Sequence, residues 1–146
     1  CNYSNGGGDC TNFLSQCLKK GGWTTNSFWW ATGSSCCNNI WACNIQNCYA
    51  CSWTVANSFY NYVITSGRIE NACYVDNVLR VGDILQLGNS NGVFHSTIVT
   101  KKTIVGNITK VYVTYRNGGG NLPYKDKLST LLSGTHYGWK VKSSAN

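Results

Sequence analysis

Tyr3-Ser4-Asn5-Gly6-Gly7-Gly8-Asp9-Cys10-Thr11-Asn12-Phe13-Leu14-Ser15-Gln16-Cys17-Leu18 carries a glycine-rich stretch straight into a helix, with a cysteine at the junction. Asp9 suits the N-cap, where its carboxylate can accept hydrogen bonds from the unpaired amides of the first turn. Cys10 then sits at the positive end of the helix dipole, which favours a thiolate and predicts a lowered thiol pKa. The preceding glycines remove side chains that would obstruct approach to the sulfur. The pattern predicts a nucleophilic cysteine.

Outward from this junction, residues 10–20 read as an amphipathic helix with Phe13, Leu14, Cys17 and Leu18 on one stripe and Gly21-Gly22 as the stop. Residues 23–52 are rich in Trp, Asn and Cys and have no clear period, which reads as a disulfide-held excursion centred on about 33–51. A second helix is expected at about 53–65, with Ala56, Phe59, Tyr60, Val63 and Ile64 at helical spacing and Gly67 ending it. From Val81 onward the period changes to two, in Ile84 to Leu87, Val93 to Thr100, Val111 to Tyr115 and Tyr137 to Val141. Helices first and strands later predict an α+β domain with helices packed on an antiparallel sheet. There are no internal repeats, and the 146 residues are expected to form one domain acting as a monomer.

Composition narrows the setting. Nine cysteines (Cys1, Cys10, Cys17, Cys36, Cys37, Cys43, Cys48, Cys51 and Cys73) are a density typical of secreted, disulfide-stapled chains. The odd count predicts eight bridged cysteines and a free Cys10. The chain lacks methionine and opens on Cys1, as expected of a processed, extracellular protein or an excised domain. No apolar run approaches the roughly 18 residues needed to cross a membrane. The net charge of +7 is spread out, although Lys125, Lys127, Lys140 and Lys142 crowd the last third. That balance favours polyanions such as an acidic bacterial wall polymer. Nucleic acid would suit the charge, but no recognisable nucleic-acid module is present and none is expected as a partner.

His95 lies near the start of a clear strand, in Gly92-Val93-Phe94-His95-Ser96-Thr97-Ile98-Val99-Thr100. A cysteine early on a helix followed by a histidine on a strand is the order of a Cys–His pair in which imidazole takes the thiol proton. The second histidine, His136, beside Tyr137, Gly138 and Trp139, reads as structural, as does Asp83 in the turn before a strand. Zinc is disfavoured: Cys43, Cys48 and Cys51 lack paired CxxC spacing and a nearby histidine. No cofactor is implied.

Tyr3 through Leu18 with Gly21-Gly22, Ser52-Trp53 with Val55 and Asn57, Val81 to Leu87, His95 to Thr100 and Trp139-Lys140-Val141 resemble, in order, the putative amidase domain family. The resemblance spans essentially the whole chain apart from residues 33–51. It implies kinship with the NlpC-type and CHAP branches of the papain-like superfamily: a cysteine-bearing helix packed on an antiparallel sheet that bears the histidine. It also implies amide hydrolysis, commonly in bacterial peptidoglycan, and a place for Tyr3 near the thiolate, positioning or polarising the scissile carbonyl.

A third group should hold the imidazole in its productive tautomer. A two-residue turn at Gly106-Asn107 pairs Val105 with Ile108 and, carried outward, sets His95 opposite Gly118. Arg116 is then the nearest side chain on the same face, and arginine accepts no hydrogen bond. A single bulge moves Asn117 onto that face instead. Comparison with the CHAP branch also favours Asn117 as the orienter, leaving Arg116 for a substrate carboxylate.

Two other function classes are compatible with the residues. Six tryptophans, including Trp29-Trp30 and Trp41, and nine tyrosines suit stacking on sugar rings. A muramidase-type glycosidase needs a carboxyl pair, and among Asp9, Glu70, Asp76, Asp83 and Asp126 only Asp9 lies in the motif that invites a site. A non-catalytic wall-binding module is the remaining class.

Overall fold

The computed structural model describes residues 9–31, 49–73, 76–117 and 125–142. Helix α1 spans Cys10–Lys20, α2 Cys51–Thr54 and α3 Ala56–Thr65. The strands are β1 (Ile69–Cys73), β2 (Ile84–Asn89), β3 (Gly92–Val105), β4 (Ile108–Tyr115), β5 (Lys125–Leu128) and β6 (Thr135–Val141). They form one antiparallel sheet in the order β1-β6-β2-β3-β4-β5. The fold is α+β, as the switch from helical to strand period predicts.

Gly21 and Gly22 close α1, with Gly22 at φ 110°, a conformation that favours glycine. The buried side of α1 is more polar than the expected stripe. Cys10, Thr11, Asn12, Leu14, Ser15 and Leu18 are buried, whereas Phe13 and Cys17 are only half-buried. The second helix is split, because Val55 is extended (φ −107°, ψ 123°) and separates α2 from α3. Most of the expected disulfide-held excursion lies outside the described residues. Cys51, at its end, is disulfide-bonded.

Cys17 corrects the cysteine arithmetic. It is a free thiol, as is Cys10. Eight bridged cysteines are therefore ruled out, and the seven others are again an odd number, so intrachain pairing cannot use them all. The half-buried face of α1 gives Cys17 no disulfide partner, and burial pushes its thiol pKa up.

The sheet has a packed cluster on each face. Leu14, Leu18, Trp23, Trp29, Trp53, Phe59, Val63, Ile84 and Trp139 gather on the helical side. Leu79, Leu85, Val99, Val111, Val113 and Tyr115 gather on the other. Adjacent residues Ile84 and Leu85 thus go to opposite clusters, which is why β2 reads as a continuous buried run rather than an alternating one. Trp29, expected to suit sugar stacking, is fully buried, and its ring lies 4.6 Å from that of Trp53. Asp83 is the turn residue expected: it accepts the backbone N–H groups of Arg80 (2.7 Å) and Val141 (2.9 Å).

Gln86 is the polar exception within β2 and is fully buried. Its Nε2 donates to the Ala56 carbonyl (3.0 Å) and to Ser96 Oγ (2.9 Å), while its Oε1 accepts Trp139 Nε1 (3.0 Å). One amide thereby ties α3, β3 and β6 together. Gln86→Leu would leave the Trp139 indole N–H buried without an acceptor and would remove the side-chain donor shared by Ser96 Oγ and the Ala56 carbonyl. The expected cost is about 2 kcal/mol, at a penalty of roughly 1–3 kcal/mol for the one stranded donor. It should appear as a lower denaturant midpoint with an unchanged m-value.

Candidate active site

The site forms where α1 begins and β4 stops. Val99 N–H bonds the Asp83 carbonyl on the β2 side of β3 (2.9 Å), so by strand alternation the Ser96 N–H points to the β4 side. β4 ends at Tyr115, one residue past the Ile98–Thr114 pair, so among the described residues the Ser96 N–H has no partner within β4. The Cys10 sulfur takes that place and accepts a hydrogen bond from the Ser96 backbone. The thiol therefore sits at sheet level, one residue along β3 from His95. Thr11 Oγ1 bonds Ser96 Oγ (2.9 Å) and lies 3.7 Å from the Cys10 sulfur, locking the start of α1 to the strand.

Electrostatics at the thiol differ from the helix-dipole expectation. The Ser96, Thr11 and Cys10 backbone groups and the Thr11 hydroxyl all favour the thiolate, but desolvation outweighs them and pushes the pKa up. Cys10 is only 4% exposed. The lowered pKa read from the sequence is thus corrected: the resting group is a neutral thiol. Burial also lowers the His95 pKa to about 4, so the imidazole is neutral too. Its ring stands edge-on to Tyr115, centroids 4.8 Å apart, and among the described residues no hydrogen bond joins it to Cys10.

Asp9 is not the side-chain cap expected. It occupies the N-cap position without a side-chain capping bond. Its fully buried carboxylate instead accepts Asn12 Nδ2 (2.7 Å) and pairs with Arg116 (3.1 Å). Asn12 in turn accepts Trp53 Nε1 (2.9 Å), so a chain of polar contacts runs from α2 through α1 to the end of β4. Burial raises the Asp9 pKa, against the opposing pull of Asn12 and Arg116. Arg116, expected to meet a substrate carboxylate, faces this internal one.

The bulge invoked for the third group is present: the β3–β4 register shifts between Val99 and Lys101. Carried outward from Ile98–Thr114, the shifted register sets Asn117 opposite His95, with Tyr115 as the diagonal neighbour. Asn117 is exposed and makes no hydrogen bond to His95 among the described residues. Tyr3 lies outside the described residues. His136 is structural, its Nδ1 2.9 Å from the Asp76 carboxylate and its Nε2 3.1 Å from the Leu132 carbonyl.

Sequence reasoning gave no role to Thr11, Asn12, Gln86, Ser96, Trp53 or Tyr115. The available signal was polar residues inside otherwise apolar periods, as in Ile84-Leu85-Gln86-Leu87.

A thiol at a helix N-terminus, with backbone amides aimed at it and a neutral imidazole on the adjacent strand, holds the groups needed for acyl transfer. The chain matches the family model described as putative amidase domain over residues 1–141, and it belongs to that family. The family assignment supports a hydrolase of amide bonds. No curated protein and no solved structure gives a significant match.

Proposed function

We propose that the protein is a secreted, papain-like cysteine amidase that cleaves a peptide amide of bacterial peptidoglycan. The observation that carries the reading is the seating of the Cys10 thiol on the Ser96 amide where β4 stops, next to His95. In this reading Cys10 attacks the scissile carbonyl carbon as its proton passes to His95. The tetrahedral oxyanion is held by backbone amides at the start of α1. His95 returns the proton to the departing amine, leaving a thioester. Water then attacks the thioester, giving up a proton to His95, and the free acid and thiol are restored. Asn117 orients the imidazole once substrate is bound, and Tyr3 polarises the carbonyl.

Asp9 and Arg116 belong to the support of the site rather than to its chemistry. A fully buried carboxylate tied to Asn12 and Arg116 cannot deliver a proton to a glycosidic oxygen without breaking both contacts. The raised pKa of Asp9 is the one observation that favours the muramidase alternative. The net charge of +7 fits an acidic wall polymer.

Digestion of purified peptidoglycan tests the assignment. The expected products carry new free amines with no new reducing ends. New reducing ends without amines would replace the amidase with a glycosidase, and an unchanged polymer would remove the wall from the proposal.

A further inference from the structure

A cavity of about 700 Å³ opens between the Asn26–Trp30 segment and helices α2 and α3, and it shares no lining residue with the thiol site. Its volume lies within the range of about 300–1,000 Å³ usual for small-ligand pockets. One face of α3 supplies Ser58, Asn61, Tyr62 and Thr65, spaced so that all four project to the same side. The opposite wall includes Phe28 and Trp30. In a chain with twelve Lys and Arg, no charged side chain lines this cavity among the described residues.

That lining selects its ligand by exclusion and by fit. Without a cation, the cavity has nothing to neutralise a phosphate or carboxylate. Without an anion, it has nothing to hold an amine. What remains are hydroxyls, the amides of Asn26 and Asn61 and aromatic rings, the groups that meet the polar edges and C–H faces of a sugar ring. Phe28 is 73% exposed at the rim, where its ring is accessible to a ligand. The Asn61 side chain is exposed and makes no hydrogen bond among the described residues.

The wall is also preformed. Tyr62 stacks on the buried Trp29, centroids 6.4 Å apart and planes 6° from parallel, and its hydroxyl accepts Asn26 Nδ2 (3.1 Å). Asn26 in turn accepts the backbone N–H groups of Phe28 and Trp29 (3.0 and 2.9 Å), fixing the turn that carries Phe28. Little ordering is left to be done on binding.

We propose that this cavity is a binding subsite for an uncharged saccharide, separate from the thiol centre. The proposal does not depend on the amidase reading, because it requires binding and no turnover.

Two neutral probes test it by NMR titration of the whole chain: chitotetraose, which carries acetamido groups, and cellotetraose, which carries hydroxyls alone. The expected result is saturable shifts at the Trp30 indole and the Asn61 side-chain amide with at least one probe. A preference for chitotetraose would add acetamido recognition to the site, and equal binding would assign it to hydroxyl and ring contacts. Trp30→Ala and Asn61→Leu should each weaken the affinity by about tenfold or more. Because Asn61 is exposed on α3, its variant reports on the site even if Trp30→Ala fails to fold. Absence of saturable shifts with both sugars, shifts confined to other surfaces, or an unchanged affinity in the Asn61 variant would each overturn the proposal.

Discussion

Cys10→Ala is expected to abolish amide hydrolysis, lowering the rate by several powers of ten, as loss of the nucleophile in a nucleophile–base unit does elsewhere. The fold should survive. The substitution removes a sulfur that accepts the Ser96 N–H and touches Thr11 Oγ1, so the expected stability loss is about 1–3 kcal/mol, the cost of one stranded buried donor. Asp9→Asn should behave in the opposite way. Asparagine retains an oxygen for Asn12 but removes the charge facing Arg116, whose side chain is only 21% exposed. Losing one partner of such a pair should cost about 3 kcal/mol, the low end of the range for buried pairs because Arg116 keeps some contact with water. The folded fraction of Asp9→Asn should nevertheless cleave amides at close to the parent rate. Rates normalised to the folded fraction read from the melting curves separate the two effects. An active Cys10→Ala protein beside a folded but inactive Asp9→Asn protein would transfer the chemistry to the carboxyl group.

The contrast between these two neighbours shows what the sequence made legible. The helix starting at Cys10, its glycine stop, the Gly106-Asn107 hairpin and four of the strands follow from local period and turn chemistry. β1 and β5 do not. Ile69-Glu70-Asn71-Ala72-Cys73 and Lys125-Asp126-Lys127-Leu128 are short edge strands with no alternating apolar period, set in place by pairing with β6 and β4. The split at Val55 is equally silent, because both halves keep helical spacing.

At the site, the placement of Cys10 beside β3 was readable, whereas its electrostatics were not. A helix dipole is a local quantity that can be read from the order Asp9-Cys10. The desolvation that overrides it arises from packing against Ser96 and Thr11, which no local pattern encodes. Arg116 illustrates the same limit. A basic residue near a predicted site suggests a substrate anion until the fold supplies an internal one, and Asp9 lies more than a hundred positions away in the chain.

The neutral pair at rest predicts an unusual dependence on pH. Burial lowers the His95 pKa to about 4, against roughly 6.5 in an unfolded chain. Between those values the unfolded state binds a proton that the native state refuses, so stability rises with pH through this window and falls as acid is added. Over about 2.5 pH units this amounts to about 3 kcal/mol lost on going from pH 6.5 to 4. Asp9 works in the reverse sense: its raised pKa makes the native state hold a proton more tightly, and its contribution declines as pH rises above the ordinary carboxylate value. Comparing the parent with His95→Gln isolates the histidine, because both carry Asp9, and the variant should show the flatter acid limb of stability. If His95 is also the base, the acid limb of kcat/KM should fall near pH 4 rather than near 6.5. The plateau above it should extend past neutrality, since the Cys10 thiol is raised and need not ionise before attack. Short assays at each pH, normalised to the folded fraction, keep the two limbs apart. A rate that rises as pH falls through the plateau would mean that a protonated carboxyl, not a neutral imidazole, carries the reaction.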